Sequence, residues 1–109
     1  MTVHQLLQTL PVKVLHQADE NREISGVYTG DLLSWVMGRA QPDQVLVTIM
    51  TNINVVAVAS LLDLSLVVIC DNALPDDAML EAAKSKGVNV VTFEGTSYEM
   101  CVLLAKLCL

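Results

Sequence analysis

Five polar residues stand where they could hold a ligand: Asp31, Thr48, Asn52, Asn72 and Thr96. Each lies at or shortly after the end of an apolar or β-branched run, with Gly30, Thr51, Asp71, Glu94 and Gly95 beside them. Their chemistry is hydrogen bonding to hydroxyls and amides and, where a helix begins, capture of an anion by unpaired backbone N–H groups. Thr, Asn and Asp are also what helix caps and turns prefer, so a purely structural use of the same five stays open.

Catalytic chemistry lacks its residues. The two histidines, His4 and His16, fall in the first sixteen positions, outside the part of the chain whose strand ends would form a site, and read as surface or strand residues. Ser34 has no nucleophile elbow around it. Cys70, Cys101 and Cys108 are odd in number and lack C-x-x-C or metal-type spacing, which predicts reduced thiols packed as small hydrophobes. Asp76-Asp77 at the start of a helix is accounted for by the helix dipole, without a metal. Neither a G-x-x-x-x-G-K-[ST] loop nor a G-x-G-x-x-G turn occurs, so the usual nucleotide cradles are missing and no cofactor is implied.

The elements that would position these residues follow from apolar spacing. Val3, Leu6, Leu7 and Leu10 lie on one helical face, so residues 2–10 predict a short helix ending before Pro11. Residues 12–16 predict a strand, and the polar stretch 17–22 a surface loop. Residues 24–29 predict another strand, followed by a turn at Gly30-Asp31 and a short helix closed by Gly38. Trp35 on that helix reads as an anchor for the core or for an interface.

Thereafter a rhythm sets in. The apolar runs 45–49, 66–70 and 88–93 read as strands buried on both faces. They alternate with helices opened by Thr51 or Asn52, by Pro75-Asp76-Asp77 and by the capping box Thr96-x-x-Glu99. The alternation predicts one three-layer α/β domain over residues 1–109 with a mostly parallel sheet, joined by right-handed crossovers and covered on both faces by helices.

Composition bounds the partners. A formal charge of −6 provides no basic footprint for nucleic acid. No apolar run reaches a membrane span, and no secretory signal pattern opens the chain, so the expectation is a cytoplasmic protein that binds neither nucleic acid nor membrane. A hydrophobic fraction of 53% and a mean hydropathy of +0.53 are high for so small a body, which predicts that part of the apolar surface meets a second copy in a homodimer.

The run Gly26-Val27-Tyr28-Thr29-Gly30-Asp31-Leu32-Leu33-Ser34, then Val47-Thr48 and Thr51-Asn52, resembles the DRTGG domain. So do Pro75-Asp76-Asp77 with Ala82-Ala83-Lys84 and Gly87-Val88, and the tail Thr96-Ser97-Tyr98-Glu99-Met100-Cys101. The resemblance extends over residues 12–109, although the contiguous Asp-Arg-Thr-Gly-Gly string does not occur and Trp35 stands where an acidic residue would follow Leu-Leu-Ser. Such domains accompany CBS modules in regulated pyrophosphatases and occur in the phosphate acetyltransferase family. The resemblance therefore implies an accessory, regulatory and often dimeric role, with no catalytic residues to carry over.

The sequence thus predicts a non-catalytic module that senses a small molecule such as an adenine nucleotide or phosphorylated metabolite. The alternative is a protein-interaction subunit whose strand-end residues only cap helices. A small enzyme using Asp31 and Thr48 is the third reading, and it lacks an acid-base or nucleophilic partner.

Overall fold

Side-chain caps decide where four of the five helices begin. The computed structural model describes residues 1–109. In α1 (Val3–Thr9) the Thr2 hydroxyl accepts from Gln5 N while the Gln5 side chain accepts from Thr2 N, a reciprocal capping box. Asn52 caps α3 (Ile53–Leu61), Asp76 caps α4 (Asp77–Lys86), and Thr96 with Glu99 forms a second capping box on α5 (Ser97–Lys106). Gly87 ends α4 in the left-handed region at φ 66°, where a residue without Cβ is at ease.

The remaining helix, α2 (Leu33–Arg39), has no side-chain cap and differs from the expectation at its end. It runs through Gly38 instead of stopping there, because Gly38 keeps ordinary backbone geometry. It ends where Ala40 is drawn into the core and Gln41-Pro42 cannot continue a helix. Trp35 is not a core residue: it is 53% exposed, because Val36 and Ala40, four apart, take the inward face and turn Trp35 outward. Pro75 likewise sits one residue before the cap of α4, outside its first turn.

The five strands are β1 (Lys13–His16), β2 (Gly26–Thr29), β3 (Gln44–Thr48), β4 (Leu66–Ile69) and β5 (Val90–Thr92), in the spatial order β1-β5-β4-β3-β2. From β2 to β5 every pairing is parallel, with Leu46 opposite Val67 and Val67 opposite Val90. Only β1, at the edge, runs antiparallel, with Lys13 opposite Thr92 and Val14 opposite Val91. β3 stops at Thr48, one residue short of expectation, because Ile49 N donates to an Asp31 carboxylate oxygen instead of to a neighbouring strand.

Alternation along the central strands creates two cores. Leu46, Val67, Ile69 and Val90 face α2, α3 and α4, whereas Val45, Val47, Leu66, Val68 and Val91 face α1 and α5. Both faces are covered, and Val47 and Val68 are fully buried, as the unbroken apolar runs predict. Fully buried side chains such as Leu6, Leu46, Ile69 and Leu104 each stabilise the fold by roughly 1.5–3 kcal/mol.

The polar stretch after β1 is a loop, but a fastened one. Arg22 reaches Asp43 and Asp63, and the Asn89 side chain joins residues 18 and 19 to Ser65. These groups gather at the amino ends of β3, β4 and β5 and close that edge of the sheet.

Candidate functional site

Because β2 to β5 are parallel, the segments that follow them emerge at one edge, and all five residues singled out from the sequence lie along it. Their circumstances differ. Asp31, after β2, accepts from Thr48 Oγ1 and from Ile49 N, both at 2.9 Å. The Thr48 hydroxyl in turn accepts from Met50 N at 3.2 Å, and Thr48 is fully buried. This pair ties the β2–α2 turn to the end of β3 through Asp31 Oδ1, while Oδ2 of the exposed Asp31 has no partner in the protein.

Asn52 and Thr96 are exposed, and each caps a helix: Asn52 Oδ1 accepts from Asn54 N, and Thr96 Oγ1 accepts from Glu99 N. Asn72 is different. It sits with Asp71 in consecutive left-handed conformations after β4, where Asp71 N donates to Gly95 O at 2.7 Å and Asn72 N to Phe93 O at 3.0 Å. The backbone of this turn is thereby fixed to the end of β5, while the exposed Asn72 amide has no hydrogen-bond partner in the protein.

The largest cleft, about 480 Å³, opens at the β5 end of this edge. Its walls are the β5 exit, with Thr92, Phe93, Glu94 and Gly95, and the segment entering β1. Of the five residues, only Asn72 lines it. Lys13 lines the opposite side because antiparallel β1 begins where β5 ends. An apolar groove of about 330 Å³, lined by Tyr98, Val102 and Leu103 of α5, adjoins the cleft and shares Pro11, Phe93 and Glu99 with it. Gly95 makes this arrangement possible: a Cβ there would stand 2.7 Å from the Phe93 ring and 3.2 Å from Glu99 Oε2. Glu94 and Gly95 are recognisable in the sequence as strand-end residues, whereas no local pattern connects Lys13 to β5.

Reactive groups are absent from the cleft. Cys70, at the end of β4, is fully buried, and burial pushes its thiol up from an ordinary 9.0 to about 11; a hydrogen bond from Ser97 opposes the shift, and the charges of Asp71, Cys101 and Asp31 add to it. It stays protonated at neutral pH and is a poor nucleophile. Cys101 is half-buried, as packing in the core predicts, whereas Cys108 is exposed in the last turn. His4 bonds Glu20 at 2.9 Å, on the loop that closes the opposite edge. What the cleft offers is hydrogen bonding, one ammonium, carboxylates and an aromatic wall.

No family model matches the chain, and a search of curated proteins finds no match. Among solved structures, the chain is similar to the CBS and DRTGG domains of the regulatory region of Clostridium perfringens pyrophosphatase, determined in complex with its activator, diadenosine tetraphosphate. The TM-score is 0.72 at 17% sequence identity; the match covers 90% of this chain and 43% of that one, so the chain spans less than half of that regulatory region. The parallel β2–β5 core with its antiparallel edge strand is therefore a DRTGG-like α/β fold.

Proposed function

We propose that the chain is a DRTGG-like regulatory domain that senses an adenine nucleotide or phosphorylated metabolite at the carboxyl edge of its sheet and has no catalytic step of its own. The observation that carries this reading is the likeness of the fold to a regulatory region bound to a nucleotide activator. The edge where Asp31, Thr48, Asn52, Asn72 and Thr96 lie supports it, since open α/β sheets bind ligands beyond the carboxyl ends of their strands. In this reading the protein works in the cytoplasm as a homodimer; no helix is long and apolar enough to cross a membrane.

Thermal-shift measurements against diadenosine tetraphosphate, ATP, ADP, AMP and phosphorylated metabolites test it. A ligand at a hundred times its Kd adds about 2.7 kcal/mol to native stability, a clear rise in Tm. A screen without any rise retires the sensing role. Light scattering at tens of micromolar tests the dimer, which requires twice the 11.8 kDa chain mass.

A second reading, a protein-interaction subunit, is favoured by exposed apolar residues near the β2–β4 end of the same edge. Leu32 is 59% exposed, Trp35 53%, Ile53 47% and Leu74 67%, with the Arg39 guanidinium 3.9 Å over the Trp35 ring. Trp35→Ser separates the two: it changes the assembly state or partner binding if this patch is an interface, and leaves a nucleotide-induced Tm shift intact.

A further inference from the structure

We propose that the joined cleft and groove bind the nucleoside part of a ligand and leave any phosphates in solvent. This rests on the sensing role above and goes beyond it by assigning which chemical moiety is read, and by which residues. The two spaces share Pro11, Phe93 and Glu99, so one molecule can occupy both, and their volumes of about 480 and 330 Å³ suit a small ligand. The groove is apolar with aromatic walls, as a flat heterocycle requires: Phe93 on one side, the 77% exposed Tyr98 ring at the mouth, and Val102 and Leu103 along α5.

The cleft provides the complementary polar half. Lys13, Asn72 and Glu94 line it, and none of the three side chains has a hydrogen-bond or salt-bridge partner within the protein. A carboxylate accepts from both hydroxyls of a ribose, and an amide both donates and accepts. Charge decides against the phosphates. One ammonium, on Lys13, faces two carboxylates, on Glu94 and Glu99, so the cleft is net negative in a chain that is already at −6. The amino end of α5 next to it is occupied by its own capping box, with Glu99 Oε1 accepting from Thr96 N and Thr96 Oγ1. Phosphate oxygens find no arginine here, and at the α5 start they meet the Glu99 carboxylate, a like charge already bonded to Thr96.

Amide chemical-shift titrations of the ¹⁵N-labelled chain with adenosine, AMP, ATP and inorganic tripolyphosphate test the assignment. Adenosine, AMP and ATP should perturb Lys13, Asn72, Gly95, Tyr98 and Glu99, with Kd values within about threefold of one another, and tripolyphosphate should perturb none of them. Tyr98→Ala, at an exposed position that leaves folding intact, should weaken all three nucleosides and nucleotides by about tenfold. If ATP binds more than about tenfold tighter than adenosine, or tripolyphosphate competes with it, the phosphates are what is read: the inference falls and the sensing role stands. Perturbation centred on Asp31, Ile49 and Asn52 would also overturn the inference and keep the sensing role, whereas silence with every compound overturns the inference together with the adenine-nucleotide form of that role.

Discussion

At the amino edge of the sheet, Arg22 Nη2 lies 2.7 Å from Asp43 Oδ1 and 2.7 Å from Asp63 O, and Arg22 Nη1 lies 3.2 Å from Leu64 O. Asn89, only 4% exposed, accepts from Ala18 N at 2.6 Å and donates to Asp19 O and Ser65 O. At the carboxyl edge the comparable side chains, Lys13, Asn72 and Glu94, face a cleft and bond to nothing in the protein. The same residue chemistry serves opposite ends. Where a buried polar group finds its full set of partners it fixes the fold, and where polar groups are left open at a concave surface they are available to a ligand.

Electrostatics follow the same division. Burial opposes charge on Arg22, yet the hydrogen bond to Asp43 and the charges of Asp63 and Asp43 hold its pKa above the ordinary value. The guanidinium thus holds ion pairs to Asp43 and Asp63 together with hydrogen bonds to Asp63 O and Leu64 O in a half-buried place. The one loose end at this edge is the Ser65 hydroxyl, which is buried without a partner.

The sharpest way to break the comparison is Asn89→Ala. It strands Ala18 N, Asp19 O and Ser65 O together, and should lower stability by about 3 kcal/mol, read as a fall in the urea midpoint. A loss below about 0.5 kcal/mol would mean that the amino edge is not held by this network.

Next comes alkaline pH, which probes whether the inner layer of the carboxyl edge is as closed as the amino edge. Cys70 has a folded pKa near 11 against an ordinary 9.0, so the folded state keeps its proton where the unfolded chain has lost it. Stability from this group is complete below about pH 9 and declines as pH rises toward about 11, by up to roughly 1.4 kcal/mol per pH unit. Denaturation midpoints of wild type and Cys70→Ala across that range should converge as pH rises. Parallel curves would show that the thiol is not shielded.

Thr96→Ala removes one cap and half of a capping box, and should cost about 1 kcal/mol in thermal unfolding. Smallest of all, Asn72→Gly, which keeps the left-handed backbone unstrained, should change stability by less than about 0.5 kcal/mol, because the exposed side chain it removes bonds nothing; its effect should be on ligand-induced Tm shifts alone. A large stability loss there would erase the distinction between the two edges.

Much of the fold was legible because its signals are local. The uninterrupted runs at Val45–Val47 and Leu66–Ile69 could only be strands covered on both faces, and Thr96-x-x-Glu99 places the start of α5 within one helical turn. Gly38 misled because residue type outweighed phase, and Trp35 could not be assigned between core and surface: a seven-residue helix has too few turns for its apolar face to be read before its partner surface is known. Along the carboxyl edge, the five polar residues were identifiable as strand-end residues, but the sequence did not separate Asp31 and Thr48, which bond each other, from Asn72, which bonds nothing.

By itself the sequence determined the order of elements, the caps that start the helices and the parallel core, since each depends on contacts within a few residues or on the period of the apolar pattern. Only the tertiary structure decided which polar groups became architecture and which stayed open. Arg22 meets Leu64 across 42 positions and Asn89 meets Ala18 across 71, while Lys13 reaches the cleft because an edge strand turned antiparallel. Strand order and direction at an edge are set by how whole layers pack, and no local spacing in the chain encodes them.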